Sequence, residues 1–389
     1  MTDRDRLRIL IAHSSYRLKG GEDRYVQQQS QLLQTVHSVE LYQKDNTDLS
    51  SLHAATAMFY DPRVKSELAR TVHAFSPQVI HLHNAYPSLG PAVHQVARRQ
   101  GVPLLMTVHN YRLRCPNAFM FTEGSNCNRC EGGRYLNALT HNCFTSRTQA
   151  AGYVAGLWTH RFVLGLEEKV ALFLCPSRFI ANKLLKWGFP EEKVLVVPNF
   201  TEGPISVSNA PGTYGAYLGR LSPEKGLDVL VQALAIAGDP PFRIVGDGPS
   251  SASLQATAKQ LGLRNLKFMG RVEPDEVNEL LNEIRFLAMP SVWNENAPLA
   301  ALEAMAHARP LVLSNVGGLT ELAADGAGIT IEPGDPNALA GGIQDLMDDD
   351  GRCRELGGTA RRLWEQKFNP QVHRSELEAA YRTAIERAA

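Results

Sequence analysis

Pro290–Ala306 reads PSVWNENAPLAALEAMA and sets two glutamates, Glu295 and Glu303, eight positions apart on either side of Pro298. Proline suits the first position of a helix, because it has no N–H to leave unpaired and its φ is already near the helical value. Leu299–Ala306 then reads as a strong helix, which puts Glu295 in the loop that enters it and Glu303 on its second turn. Backbone N–H groups of the loop and first turn, at Asn296, Ala297 and Leu299 around Pro298, would face an anion or sugar hydroxyls. The plain alternative is an ordinary helix carrying two solvated carboxylates. The flanking sequence decides between the two.

Working outward, apolar runs alternate with helical stretches in both directions. In the first half Arg8–His13, His37–Gln43, Gln78–Asn84, Pro103–Asn110, Ala171–Ser177 and Lys193–Asn199 read as strands. In the second half Tyr214–Gly219, Phe242–Gly246, Leu266–Val272, Arg285–Pro290, Pro310–Ser314 and Gly328–Glu332 do so. Strands alternating with helices imply a parallel sheet covered on both faces. Thr201–Thr213, rich in Gly, Pro, Ser and Asn, reads as a linker. The expectation is an α/β chain with one doubly wound domain over residues 1–205, including a cysteine-containing insertion at 112–146, and a second over 206–368. Residues 369–389 are expected to form a closing helix. Doubly wound sheets carry ligands at the carboxyl ends of their strands, so two such ends facing one another would form a cleft.

Several second-half loops are suited to phosphate. Gly219-Arg220 ends a strand and Lys225-Gly226 precedes a helix in YLGRLSPEKGLDVLVQAL. An arginine fork and a lysine point charge there could bind a diphosphate and stabilise it as it leaves. The start of a helix normally favours acidic side chains, so basic ones invite an anion. Gly317-Gly318-Leu319-Thr320-Glu321 follows the strand PLVLS, and its N–H groups are expected to face a pyrophosphate. Gly246, in Gly246-Asp247-Gly248-Pro249, reads mainly as a turn, and Arg271 and Val272 could hold a base through main-chain groups.

Composition narrows the class. The 389 residues are too many for one ordinary core. Forty basic residues balance forty acidic ones, so no net field draws the chain to nucleic acid. MTDRDRLRIL does not read as a secretory leader, and no apolar run is long enough to span a bilayer. A cytoplasmic protein is expected, with any membrane contact peripheral, at the inner face.

The ordered set GRLSPEKG, IVGDGP, PS…E-x7-E, EAMA…P, GG-x-x-E and PGD at Pro333–Asp335 resembles the retaining glycosyltransferases of family 4, also called group 1, over most of Arg8–Phe368. The resemblance implies a GT-B fold, two Rossmann-like doubly wound domains facing across a deep cleft, with the helix over residues 369–389 crossing back to the first domain. It also implies a hexosyltransferase-type enzyme that moves a sugar from a nucleotide-diphosphate sugar, UDP- or GDP-linked, to a glycan or lipid-linked acceptor in polysaccharide or glycolipid biosynthesis. No cofactor is required for that chemistry. By the resemblance, Arg220 and Lys225 contact the diphosphate, Glu303 the ribose and Glu295 the transferred sugar.

On the first-half side, Gly20-Gly21-Glu22 resembles the family's acceptor loop, with a plain glycine turn as the alternative. His109, in LLMTVHNYRLRC, matches the histidine placed near the reaction centre, where it would hydrogen-bond the sugar, stabilise the transition state or move a proton. His83 and His81, in VIHLHN, are weaker candidates, of which His83 is assigned to the acceptor side. The chain departs from the family at Ala308, where glycine is usual, and at Asn296-Ala297-Pro298, which replaces a Ser-Phe-Gly type of sequence.

Other classes fit less well. A glycosidase needs two carboxyls roughly 5–9.5 Å apart across one bond, whereas eight helical steps of about 1.5 Å would separate Glu295 and Glu303 by about 12 Å. A GT-B epimerase, a phosphorylase and a non-catalytic sugar-nucleotide-binding protein remain as alternatives. Cys115, Cys127, Cys130 and Cys143 follow C-x11-C-x2-C-x12-C, which suits a structural zinc site, with four reduced thiols as the alternative. Ser146–Lys169 mixes basic residues with Tyr153, Trp158 and Phe162, as would a helix lying on a membrane or one packed on its own domain.

Overall fold

The computed structural model describes residues 6–16, 20–46, 56–205, 207–208, 210–324 and 326–388. The Asp3–Asp5 part of the amino-terminal reading lies outside them. The chain divides into two units, Met1–Glu123, Cys127–Val197 and Arg374–Ala389 in one, and Gly124–Asn126 and Pro198–His373 in the other. The main division thus falls at Val197/Pro198 rather than at 205/206. The last helix, Pro370–Ala388, places Arg374 onward in the first unit.

In the first unit β1 (Arg8–Ser14), β2 (Ser38–Lys44), β3 (Val79–Leu82), β4 (Leu104–Thr107) and the two-residue β5 (Phe121–Thr122) come first, and β6 (Ser125–Asn126) falls in the short segment counted with the second unit. β7 (Leu172–Cys175) and β8 (Val194–Val196) follow. The main sheet has the order β2-β1-β3-β4-β7-β8, parallel throughout. Every residue of β3, β4 and β7 is buried, as continuous apolar runs covered on both faces require. Polar side chains start the covering helices. Asp61 accepts from the N–H groups of Arg63 and Val64 ahead of Pro62–Phe75, and Ser177 from Ile180 ahead of Arg178–Lys186.

The second unit holds β9 (Tyr214–Leu218), β10 (Phe242–Val245), β11 (Leu266–Gly270), β12 (Ile284–Met289), β13 (Leu311–Ser314) and β14 (Gly328–Ile331). Their order is β11-β10-β9-β12-β13-β14, again parallel. Side chains alternate across this sheet. Leu287 and Met289 enter a core with helix Leu299–Ala306 and Trp364, while Phe286 and Ala288 enter another with Leu230 and Leu234.

Strand order reverses between β1 and β3 in one sheet and between β9 and β12 in the other. Those are the switch points, where the loops leaving adjacent strands diverge and leave room for a ligand.

Candidate active site

In the second unit the loops after β9 and β12 lie side by side. Gly226 sits at φ +66°, and a Cβ there would lie 2.0 Å from the Pro290 carbonyl oxygen. Only glycine lets the Lys225-Gly226 turn approach the end of β12 so closely. Val292 donates its N–H to the Glu224 carbonyl at 3.1 Å and so fixes the register of the two loops.

The consequence is an ion pair, with Lys225 Nζ 2.6 Å from Glu295 Oε1. The Ser291 hydroxyl donates to the same carboxylate oxygen at 2.7 Å, and the Lys225 ammonium stands 5.1 Å from the centre of the Trp293 ring. Arg220 is exposed, and its guanidinium has no partner among the described residues. Its carbonyl is held by the Tyr217 hydroxyl at 2.8 Å. One cation is thus paired with a carboxylate, and the other is available to an anion.

Pro298 stands one place earlier than expected. Its φ is −71° but its ψ is 127°, so it caps the helix and Leu299 is the first helical residue. Its carbonyl accepts the Ala301 N–H at 3.2 Å, as a capping residue's does. Glu303 then lies buried on the helix, with Glu295 and Asn296 buried in the entering loop. Asn199 donates to the Ala297 carbonyl at 3.0 Å and holds that loop from the chain that enters the second unit.

The phosphate element expected at Gly317-Gly318 proves to be committed elsewhere. Gly318 donates its N–H to the Glu295 carbonyl at 2.7 Å, and Leu319 donates to Val316 at 3.1 Å. A Cβ on Gly317, at φ +56°, would lie 2.2 Å from the Glu295 carbonyl oxygen. The Gly-Gly turn therefore braces the backbone of Glu295 instead of presenting these N–H groups to a pyrophosphate. Gly246 likewise donates to Gly270 at 2.7 Å, and a Cβ on it would lie 1.9 Å from the Gly219 carbonyl. Its role is to let β10 end close beside β9. Arg271 is exposed and Val272 part-buried just past the end of β11, which stops at Gly270.

In the first unit the ends of β1, β3 and β4 gather histidines. His83 Nδ1 and His109 Nε2 are 2.8 Å apart, their rings stacked with centroids at 5.1 Å. Burial, with the nearby His13 and His81, holds the His109 pKa down at about 3, so its imidazole is neutral at ordinary pH. His81 is inside the sheet, bonded to Thr107 and Tyr381 at 2.7 Å each, which makes it a structural residue. His13 Nε2 meets Asp23 Oδ1 at 3.0 Å. Asp23 also accepts from the Tyr16 and Gly20 N–H groups. Burial alone would raise the Asp23 pKa, but the bonds from His13 and Gly20 outweigh it and hold the carboxyl below its usual value.

Gly20 has φ −130°, a conformation open to any residue, and Gly21 begins the helix Gly21–Gln34. Beside them Glu22 accepts from the Tyr16 hydroxyl at 3.0 Å. Burial lifts its pKa to about 7, against the lowering effect of His13 and Tyr16.

Sequence reasoning gave no role to Ser291, Trp293, His13 or Asp23. Ser291 lies within the quoted motif and was within reach. His13 and Asp23 meet through a turn whose form no local pattern announces.

The four cysteines named above border one cavity in the first unit. Among the described residues no group of three or more His, Cys, Asp or Glu side chains is set, as it stands, to hold a metal ion. The expected Ser146–Lys169 helix is shorter. It runs Arg147–Trp158, passes into a wider turn over Thr159–Val163, and ends in a separate turn at Glu167–Lys169. Trp158 and Phe162 stay half exposed with their rings 5.8 Å apart. Among the described residues no helix is long and apolar enough to cross a membrane.

Comparison with known proteins gives two family matches. Residues 205–363 match the family described as Glycosyl transferases group 1, and residues 6–199 match the Glycosyl transferase 4-like domain. The chain is 28% identical over 220 residues to an uncharacterised glycosyltransferase of Methanocaldococcus jannaschii, covering 56% of this chain and 60% of that one. It is 28% identical over 242 residues to the D-inositol 3-phosphate glycosyltransferase of Corynebacterium diphtheriae, covering 52% and 56%. These matches thus span a little over half the length of each relative. Among solved structures, HepE of Anabaena in complex with UDP and glucose superposes with a TM-score of 0.70 at 19% identity, over 97% of this chain and 100% of that one. The sucrose-phosphate synthase of Thermosynechococcus elongatus does so at 0.70 and 18% identity, over 97% and 99%. These likenesses identify the fold as GT-B.

Proposed function

The chain belongs to the group 1 glycosyl transferases, and we propose that it moves a sugar from a nucleoside-diphosphate sugar to a hydroxyl of a glycan or lipid-linked acceptor, with retention at the anomeric carbon. The observation that carries this reading is the Lys225–Glu295 pair at the switch point of the second sheet, with the unpartnered Arg220 nearby in sequence. Two cations at the carboxyl ends of a doubly wound sheet suit a diphosphate leaving group, whose charge grows as the bond to the sugar breaks. In the proposed reaction the bond between the anomeric carbon and the diphosphate oxygen breaks. The acceptor hydroxyl bonds to the same face of the sugar, and its proton leaves with the diphosphate.

Roles follow from chemistry. Lys225 and Arg220 take the diphosphate, Glu295 and the N–H groups of its loop take sugar hydroxyls, and buried Glu303 takes the ribose. His109, held neutral, serves as a hydrogen-bond donor to the sugar and is a poor proton carrier. Glu22 and His83 belong to the acceptor side. The half-exposed Trp158 and Phe162 support peripheral contact with a membrane that presents a lipid-linked acceptor. With two protein cations to meet the charge, the transfer is proposed to need no metal.

The test is the melting temperature with UDP, GDP, ADP and their sugar conjugates, each with and without EDTA. UDP is tried first, because the structural relative from Anabaena was solved with it. One diphosphate should raise the transition, and the shift should survive EDTA. If none does, the donor site is wrong and a binding protein of another kind replaces it. The anomeric configuration of the product, read by NMR, decides retention. Turnover that requires an acceptor separates transfer from epimerisation, and turnover with inorganic phosphate would point to a phosphorylase.

A further inference from the structure

Over residues 112–146 the insertion between β4 and β7 is built from two-residue strands and single helical turns, with a small core in which Cys130, Tyr135 and Ala138 pack on Val154 and Leu157 of the helix Arg147–Trp158. Three of its non-glycine residues, Ala118, Met120 and Glu123, sit at φ +67°, +48° and +53°. Left-handed backbone at such residues is strained and persists where something else fixes the chain.

Cys115, Cys127, Cys130 and Cys143 come from four points of this insertion and line a single cavity of about 10 Å³, room for roughly one water-sized sphere. The Cys130 sulfur is near enough to the other three to interact electrostatically with each. The backbone also turns donors toward sulfur. The Met120 N–H reaches Cys115 Sγ at 3.4 Å, the Ala138 N–H bonds to Cys130, and the Arg129 guanidinium lies 3.9 Å from Cys127 Sγ. A neutral thiol gains little from such donors, whereas a metal-bound thiolate is stabilised by them.

We propose that these four cysteines form a structural site for one soft divalent cation, zinc, which closes the insertion on itself. The four thiols rotate onto the shared cavity and release four protons, and four sulfur–metal bonds form in a tetrahedral S₄ set. No oxidation or reduction takes place. Cys115 gives up its present S–H bond to the Asn117 side chain. The set then carries two negative charges, and Arg129 stands beside it to offset them. Four thiolates with no open position describe a structural site, not a catalytic one. The proposal is independent of the sugar-transfer reading.

The test uses the full chain, purified without chelator or added metal. Elemental analysis should find close to one zinc per chain, released when the thiols are titrated with an organomercurial. Cobalt(II) added to the reduced, metal-stripped protein should give the intense visible bands of a tetrahedral thiolate complex. Cys130→Ser should remove both signals, whereas Cys353→Ser, at a thiol bonded instead to the Arg285 carbonyl, should keep them. If Cys130→Ser does not fold, the wild-type zinc content and cobalt spectrum decide alone. A wild-type protein with trace zinc and no cobalt bands overturns the site, whether its thiols titrate as free or as disulfides. Because the assay needs no donor, its failure and a failure of the donor-binding test are told apart.

Discussion

Lys225 Nζ lies 2.6 Å from Glu295 Oε1, and that oxygen also accepts the Ser291 hydroxyl at 2.7 Å. The Glu295 side chain is 5% exposed and that of Lys225 19%, so the pair is largely shielded from water. Lys225→Met would leave the carboxylate with one partner. Removing one member of a fully buried pair costs roughly 3–5 kcal/mol, and the partial exposure of Lys225 reduces that to about 2 kcal/mol. Turnover should fall about 10²- to 10³-fold, the cost of one donor to developing charge. Adding Glu295→Gln should restore most of the melting temperature but none of the turnover. An unchanged diphosphate-induced shift in Lys225→Met would remove this lysine from the donor site.

Gly317→Ala tests the bracing of Glu295. The new Cβ would meet the Glu295 carbonyl at 2.2 Å from a backbone at φ +56°. Left-handed strain alone costs about 1–2 kcal/mol, and the glutamate must move besides. Donor-induced stabilisation should therefore be lost even where the folded protein persists. Full donor binding with a normal melting temperature would show that the turn has slack.

Most strands were legible because they are apolar runs followed closely by Gly, Pro or Asn, as in IVGDGP and LVLSN, whereas β2 (SVELYQK) is mixed in character and part-buried throughout. The E-x7-E helix was legible for the same local reasons. The use of Gly318 was not, because a Gly-Gly turn after a strand looks alike whether its N–H groups meet phosphate or a neighbouring carbonyl. Lys225 and Glu295 are 70 positions apart, and they meet because β9 and β12 are neighbours although two strands intervene in sequence. His83 and His109 were each singled out from a strand end. Their contact follows from β3 lying beside β4.

Ala308 offers a gain in stability. It follows the helix Leu299–Ala306 at φ +55°, in the left-handed position that glycine usually fills. Alanine keeps the turn here and puts strain into it. Ala308→Gly should relieve about 1–2 kcal/mol of that strain, less the small burial of a methyl group. Urea unfolding of the two proteins would show it, and a loss of stability would mean that the methyl matters more than the backbone.

For His109, a pKa of about 3 fixes what it can do. A residue already neutral cannot produce a rate limb near pH 6.5. Any limb near pH 7 should instead belong to Glu22, whose carboxyl is raised to about that value. It should vanish in Glu22→Gln and survive in His109→Asn. The amide of His109→Asn should preserve more kcat than His109→Ala, because it can still donate a hydrogen bond. A limb that follows His109 would restore proton transfer as its role.

Acid should unfold the protein through its buried histidines. Burial holds His94 and His109 at about 3, and His307 and His373 at about 4, against 6.5 when exposed. Below pH 6.5 the unfolded chain takes up protons that the native one refuses, so their stabilising contribution is complete above 6.5 and is lost as pH falls toward 4. Glu22 works the other way, since its raised pKa makes the native state the better proton binder between 4.5 and about 7. Near pH 5 the histidines account for close to four protons and Glu22 returns just under one. Stability should then fall by about 4 kcal/mol per pH unit. Denaturant titrations at pH 7, 6 and 5 would measure the slope. His94→Gln should reduce it by one proton's worth, and a flat profile would mean that these imidazoles protonate in place.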